Sequence, residues 1–432
     1  MTLLAIVGIF LLLILCLGSG MRIAFAMALS GLVITYWVGG IEAIGDIVGY
    51  SCWNSANSFV LVTIPLFVLM ASIISESGVT ENAYNDLNTW LNYLPGRLLV
   101  TNIVACAIFA AICGSSAATT ATIGKIAVPT MRAKGYKGRY VAGSLSAGGT
   151  LGILIPPSIT FIIYGSVTDQ SVGQLFIAGL IPGIILTLLF ISYIVLHSKL
   201  RGDMAPPSKD IYTWGDRLRG LKSLVPFLFL IFLIMGSLYS GIATATEAAG
   251  VGALGALIIV IVLRKLSLNL LRKSLVEAVK TSSWLIFLLM GANILGYGMS
   301  LAGVPREISQ AISQSGLGYT GIILLLLLMY VLLGCLIDPI SMILITMPIV
   351  YPILLSINAD PIWFGVIIVL LSETGLLTPP VGMNLFVVQG ASGYDLNEIF
   401  HGITPYIFIL FLMIAIIFVF PILATWLPSH MY

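Results

Sequence analysis

Runs of apolar residues long enough, or nearly long enough, to cross a lipid bilayer recur from one end of the chain to the other. A transmembrane helix needs about 20 mainly apolar residues, and only 8% of the residues here are charged, against roughly 25% in a soluble domain. The strands of a membrane β-barrel show short alternating patterns instead. The sequence therefore predicts an all-α polytopic membrane protein embedded in a lipid bilayer. The apolar runs cover residues 3–17, 23–38, 59–74, 176–196, 224–238, 251–263, 322–337 and 406–427.

Prolines and glycines recur at a fixed distance in the two halves of the chain. A nearly equal shift also brings the Ser-Gly-Val of 77–79 onto the Ala-Gly-Val of 302–304. Chance alignment in apolar sequence is the competing explanation, but a proline pair and two further prolines share one offset, which favours an internal repeat. The residues related by this common offset are Pro129 and Pro352, Pro156-Pro157 and Pro379-Pro380, Gly179 and Gly402, and Pro182 and Pro405.

The distribution of basic residues indicates that the two repeats have opposite orientations. The segment 131–139 contains four Lys and Arg residues, whereas the matching segment 355–362 contains none. Short basic loops stay on the cytoplasmic side of a membrane, so the repeats are expected to be inverted. We expect residues 1–196 to form the first repeat, 197–222 a basic cytoplasmic linker, and 223–432 the second repeat.

Each repeat is expected to contain scaffold spans, an arm helix at the membrane surface, a re-entrant hairpin and a broken helix. The arm helices are expected at residues 40–57 and 264–280, the second because apolar and basic residues alternate there at helical spacing. The hairpins are expected near residues 59–78 and 283–303.

The first pair of predicted helix breaks lies at residues 111–124, AICGSSAATTATIG, and 334–346, GCLIDPISMILIT. Small residues also favour close helix packing, so the first break alone does not distinguish a site from a contact. In the second, Asp338 and a proline replace Ser115 and Ser116. A carboxylate at membrane depth indicates a functional residue, here a Na⁺ ligand. An aspartate that caps a half-helix is the alternative interpretation, and the two roles are compatible.

The second pair of breaks contains the repeated proline pairs. A proline excludes the helical conformation from the residue before it, so the carbonyls of Ile155 and Thr378 are free to coordinate a cation. Ser158 and Asn384 place polar side chains beyond the prolines. A proline kink that serves only packing is the alternative interpretation.

The stretches CGSSAATTATIGKIAVPTMRAKGY (113–136), GILIPPS (152–158) and TPPVGMNLF (378–386) resemble the large membrane subunit of TRAP (tripartite ATP-independent periplasmic) transporters. The resemblance implies a multi-pass protein of the bacterial inner membrane that takes up organic acids with Na⁺ by an elevator mechanism. It also implies two partners, a periplasmic substrate-binding protein and a small four-helix membrane subunit, and no nucleic acid.

The resemblance also implies where the ions and the substrate bind. One Na⁺ site is expected at Ser115, Ser116 and the backbone of Gly152, Ile155 and Pro156, and a second at Asp338, Thr374 and Thr378. The substrate is expected between Thr119 or Ser158 and Asn384, next to Pro156 and Pro380.

Three other functions compete with this interpretation. A stand-alone divalent-anion/Na⁺ symporter of similar fold is the alternative transporter. An intramembrane enzyme would have to rely on Asp338 and Glu373, the two acidic candidates, with no histidine nearby in the sequence. A passive channel fits an inverted repeat with central breaks less well than alternating access does. We therefore expect a secondary transporter and no enzymatic activity.

Overall fold

The computed structural model describes residues 3–202, 204–207, 212–314, 316–379 and 381–431. These ranges contain α-helices, one 3₁₀ turn (Val60–Val62) and no strand, which confirms the predicted all-α class. The helices are α1 (Leu3–Gly18), α2 (Ile23–Ala56), α3 (Thr63–Glu76), α4 (Val79–Leu91), α5 (Leu98–Cys113), α6 (Ser116–Ala133), α7 (Gly138–Leu154), α8 (Ile159–Thr168), α9 (Val172–Arg201), α10 (Trp214–Tyr239), α11 (Ala245–Val262), α12 (Leu268–Leu301), α13 (Val304–Gln314), α14 (Tyr319–Gly334), α15 (Pro339–Ser356), α16 (Pro361–Leu377), α17 (Met383–Ser392), α18 (Leu396–Val419) and α19 (Ile422–Ser429).

Eight helical segments in the described ranges are long and apolar enough to cross a membrane, which confirms the predicted polytopic membrane protein. Three further apolar helices, α5, α14 and α16, are shorter. A 16-residue helix such as α5 is about 24 Å long, less than the roughly 30 Å hydrocarbon core. These short helices end at breaks rather than crossing alone.

The breaks have the backbone that the sequence predicts. Ile155 ends α7 with ψ 120° and Thr378 ends α16 with ψ 134°, both extended, because a proline follows each of them. The helices after three breaks begin with capping side chains, those of Ser115, Ser158 and Asp338. α17 instead follows Gly382, whose φ of +58° suits glycine.

Four consecutive helices recur in the second half with unchanged lengths. Helices α5 to α8 have 16, 18, 17 and 10 residues, and α14 to α17 have the same four lengths. This match favours the internal repeat. The boundaries of the two repeats and their inverted orientation stay predictions.

The arm and hairpin segments differ between the halves. Gly40 is non-helical within α2 and separates the predicted first arm from the preceding span, and α3 and α4 meet at a 71° bend. In the second half the separate arm helix 264–280 and the hairpin start at 283 are wrong, because α12 continues from Leu268 to Leu301. Asn57 ends α2, whereas the repeat-equivalent Lys280 is a better helix former.

Helices α2 and α12, from opposite halves, approach each other through glycines. A Cβ on Gly291 would collide with the carbonyl oxygen of Ala24, and one on Gly31 would lie 2.6 Å from the backbone of Ile294. Small residues let membrane helices come into backbone contact and gain dispersion energy. This contact joins α2 of the first half to the long helix α12 of the second half.

We expect Gly291→Ala to destabilise the protein by about 1–3 kcal/mol, because an added methyl group must push two backbones apart. The matched control is Gly236→Ala in α10, where a Cβ meets nothing within 4 Å; there the better helix former leaves stability unchanged or raises it. Melting temperatures of both purified variants in detergent test this. Equal melting temperatures for the two variants would contradict the packing account.

Candidate functional site

The two breaks within each half are joined by a backbone hydrogen bond. The N–H of Ile159 donates to the carbonyl of Gly114 at 3.3 Å, and the N–H of Val381 donates to the carbonyl of Cys335 at 3.3 Å. Buried backbone groups in a membrane protein must be satisfied within the protein. The two interruptions of each half therefore satisfy part of each other's hydrogen-bonding capacity and lie side by side.

Two glycines at equivalent positions of the repeat allow this close approach. A Cβ on Gly152 would lie 2.7 Å from the carbonyl oxygen of Ser115, and one on Gly375 would overlap the backbone carbon of Gly334. Contacts this short exclude any side chain. Gly152, predicted as a backbone ligand of Na⁺, thus packs directly against the backbone of Ser115 at the first break.

The breaks of the two halves enclose one cavity of about 130 Å³. Four of the residues predicted as ligands line it, and they come from both repeats, so they are distant in the sequence. The lining includes Gly114, Ser115, Ser116, Thr160, Asp338 and Asn384.

A buried polar network beside this cavity joins one half to the other. Ser116 donates its hydroxyl hydrogen to Oε2 of Glu373 at 3.3 Å and accepts a hydrogen bond from Nδ2 of Asn384 at 2.6 Å. All three side chains are at most 3% exposed. The residue predicted to bind Na⁺ and the residue predicted to bind substrate are therefore directly hydrogen-bonded.

Glu373 is a residue of this network that the predicted site omits. It is fully buried, its Oε1 has no hydrogen-bond partner, and it makes no ion pair with any described residue. Buried charges in proteins are normally paired or bound to metal ions. The one signal available in the sequence was a glutamate inside an apolar helix, next to the predicted ligand Thr374.

Asp338 caps α15, which is one of the two roles expected of it. Its Oδ1 accepts from the N–H groups of Ile340 and Ser341, each at 3.1 Å. The side chain is half-buried and lines the cavity. One carboxylate oxygen therefore holds the start of α15, and capping leaves the other available to a ligand.

Other predicted ligands lie near the breaks and do not line the cavity. Thr374 donates its hydroxyl hydrogen to the carbonyl of Leu370 at 2.8 Å, and Thr378 donates to the carbonyl of Thr374 at 2.6 Å. Their hydroxyl oxygens retain lone pairs that can still coordinate a cation.

Predicted residues of the first half, apart from Ser115 and Ser116, lie outside the cavity lining. Ser158 is fully buried and accepts the N–H of Phe161 at 3.4 Å as the cap of α8. Thr119 on α6 is also fully buried, and Ile155 and Pro156 form the second break behind the cavity. Pro380 lies outside the described residues.

The oxygen-rich side chains and carbonyls of the breaks suit a hard cation. The hydroxyl oxygen of Ser116 and the carboxylate of Glu373 meet at the network, and the unpaired Oε1 of Glu373 is available beside them. This donor set fits Na⁺, since it contains neither imidazole nor thiolate.

A family model described as tripartite ATP-independent periplasmic transporter, DctM component, matches residues 10–423. The chain is 33% identical over 378 residues to the C4-dicarboxylate TRAP transporter large permease protein DctM of Pseudomonas aeruginosa, covering 87% of this chain and 88% of that one. It is 31% identical over 421 residues to the isethionate TRAP transporter permease protein DctMQ of Oleidesulfovibrio alaskensis, covering 95% and 63%. It is 30% identical over 419 residues to the sialic acid TRAP transporter large permease protein SiaM of Vibrio cholerae, covering 96% of each chain.

The fold also resembles a solved transporter structure. The crystal structure of the Alcanivorax borkumensis YdaH transporter, which has an unusual topology, aligns with a TM-score of 0.59 over 94% of this chain and 98% of that one, at 13% identity. The sequence relatives are named as permeases, which confirms the prediction of a transporter rather than an enzyme. The chain belongs to the DctM family, the large membrane subunit of tripartite ATP-independent periplasmic transporters.

Proposed function

We propose that this chain carries an organic acid across the bacterial inner membrane together with Na⁺. The observation that carries the proposal is the buried network of Ser116, Glu373 and Asn384 at the cavity where the breaks of both halves meet. A carboxylate buried without a counter-charge is costly, and a bound cation relieves that cost. The relatives named for C4-dicarboxylate and sialic acid support an acid as the solute.

The ion sites follow from the oxygens around the breaks. The first Na⁺ binds at Ser115, Ser116 and the backbone of 152–156, with Glu373 supplying the nearby negative charge. The second binds at Asp338, Thr374 and Thr378. Asn384, hydrogen-bonded to Ser116, holds the substrate next to the first ion, which couples the two binding events.

The broken helices move together as an elevator against the outer helices. In support, the span formed by α7 and α8 is 89% buried within the protein, whereas the span of α10 is 28% buried and faces outward. A central body of broken helices surrounded by apolar outer helices is the arrangement that such a motion needs.

Two partners complete the transporter, a periplasmic substrate-binding protein and a small membrane subunit. The relative named permease protein DctMQ supports the second partner, because this chain covers 63% of its length and leaves room there for a further membrane component. The exposed apolar side chains of α10, such as Phe229 and Phe232, provide surface for lipid or for this subunit.

Uptake into proteoliposomes that contain this chain and its two partners tests the proposal. We expect labelled organic acid to accumulate when an inward Na⁺ gradient is imposed, and accumulation to stop when K⁺ replaces Na⁺. Accumulation that is indifferent to Na⁺ would refute the coupling. Transport by this chain without the binding protein and small subunit would instead support the stand-alone symporter.

Asp338→Asn separates the ligand role of Asp338 from its capping role. Asparagine caps a helix as well as aspartate does, so we expect the fold to be kept. Loss of the charge should cost about 1.5–3 kcal/mol of Na⁺ binding, which raises the Na⁺ concentration for half-maximal uptake roughly 10-fold or more.

The matched control is Asp360→Asn. Asp360 caps α16 with the same geometry, accepting the N–H groups of Ile362 and Trp363 at 2.8 and 3.1 Å, and does not line the cavity. We expect the Na⁺ concentration for half-maximal uptake by Asp360→Asn to equal the wild-type value. If Asp338→Asn also keeps the wild-type value, Asp338 is a cap only.

A further inference from the structure

Two larger cavities flank the broken helices. The first, named here the lysine cavity, has a volume of about 590 Å³ and lies between α3, α6 and α12. The second, named the asparagine cavity, has about 700 Å³ and lies between α2, α12 and α15. The lysine cavity is lined by Ser72, Ser75, Glu76, Lys273, Glu277 and Lys280, among others. The asparagine cavity is lined by Tyr50, Asn54, Asn57, Asn293, Tyr297 and Ser300, among others.

The two cavities are built from the same positions of the internal repeat. At the C-terminal end of α2 and in the first half of α12, the offset that relates the proline pairs makes positions 50, 54 and 57 equivalent to positions 273, 277 and 280. On the hairpin segments, the offset that relates the two Gly-Val turns takes Ser75 to Ser300. If the repeats are inverted, these cavities open to opposite sides of the membrane.

Charge distinguishes the equivalent cavities. Lys273, Glu277 and Lys280 face the lysine cavity, and the uncharged residues Tyr50, Asn54 and Asn57 take their places in the other. Lys273 forms an ion pair with Glu76 at 3.4 Å.

Lys280 makes no hydrogen bond or ion pair with any described residue, although Glu277 lies one turn away on the same helix. Its ammonium group is therefore available to a ligand in the cavity.

The site opens toward the lysine cavity. Ser115 and Ile159 line both the 130 Å³ site cavity and the lysine cavity, whereas none of the residues lining the asparagine cavity lines the site. The basic first half of α12, which contributes Lys280, is predicted to lie on the cytoplasmic side. A solute leaving Asn384 thus meets a lysine before it reaches the cytoplasm.

We propose that the lysine cavity is the path by which the transported anion reaches the cytoplasm, and that Lys280 binds its carboxylate there. The proposal rests on the proposed function. An exposed ion pair strengthens binding only about 1.5- to 5-fold, so the anion is held weakly and released. Because exposed charges are screened by salt, this contribution falls as ionic strength rises. The asparagine cavity, the equivalent entry path, holds the solute through neutral donors instead.

Counterflow in proteoliposomes tests the role of Lys280. The vesicles contain unlabelled acid at increasing concentrations, and labelled acid is supplied outside with the binding protein, so only correctly oriented molecules contribute. For Lys280→Asn, which installs the residue of the repeat-equivalent position, we expect the internal half-saturation concentration to rise about 1.5- to 5-fold at low salt. The external half-saturation concentration should not change, and the increase should disappear at high salt.

The reciprocal variant Asn57→Lys provides the matched control. It should lower the external half-saturation concentration and leave the internal half-saturation concentration unchanged. If the internal half-saturation concentration for Lys280→Asn equals that of the wild type, the proposal for Lys280 is overturned. In that case wild-type uptake with the binding protein still supports the proposed function, whereas absence of Na⁺-dependent wild-type uptake refutes that function itself.

Thiol labelling tests the two paths without transport. Ser75→Cys and Ser300→Cys are introduced separately after the five native cysteines are replaced, and intact cells are treated with a membrane-impermeant maleimide. We expect Ser300→Cys to react from outside and Ser75→Cys to react only after the inner membrane is permeabilised. Reaction of Ser75→Cys in intact cells would overturn the assignment of the lysine cavity to the cytoplasmic side.

Discussion

Every backbone N–H and C=O in the hydrocarbon region must find a partner within the protein, and this constraint organises the whole structure. A helix meets it alone, but an interrupted helix does not. Here the interruption at Gly114 is satisfied in part by the N–H of Ile159, and the interruption at Cys335 by the N–H of Val381. Because breaks must satisfy one another, they cluster, and the cluster is a place where polar backbone, hydroxyls and carboxylates collect.

The same cluster explains why a charged residue is tolerated at its centre. Glu373 lies in a 17-residue helix made almost entirely of apolar residues and is fully buried. Its contact with Ser116 supplies one hydrogen bond, which does not balance a full charge. In the proposed mechanism, a Na⁺ bound among the break oxygens balances it, and departure of that ion leaves the carboxylate unpaired in an apolar interior. The coupling of ion and substrate proposed here follows from this electrostatic requirement.

Much of the architecture was accessible from the sequence because the signals are local. A proline dictates the backbone of the residue before it, so the extended conformations at Ile155 and Thr378 were predicted correctly. The asymmetry of the arms was not predicted, since whether a helix ends near Asn57 or continues through Lys280 is decided by neighbouring residues and packing. Glu373 was not among the predicted site residues because its contact with Ser116 depends on which face of α16 meets α6, and that rotation is a property of the packed structure.

The most direct test of this electrostatic coupling is the Na⁺ affinity of purified Glu373→Gln, measured by calorimetric titration alongside the wild type. Glutamine keeps the shape of the side chain and an oxygen that can accept from Ser116, so only the charge is removed. We expect the free energy of Na⁺ binding to weaken by about 1.5–3 kcal/mol, which lowers the affinity roughly 10- to 150-fold. The melting temperature in the absence of Na⁺ should be unchanged or raised. A folded Glu373→Gln variant that binds Na⁺ with wild-type affinity would contradict the proposed role of this carboxylate.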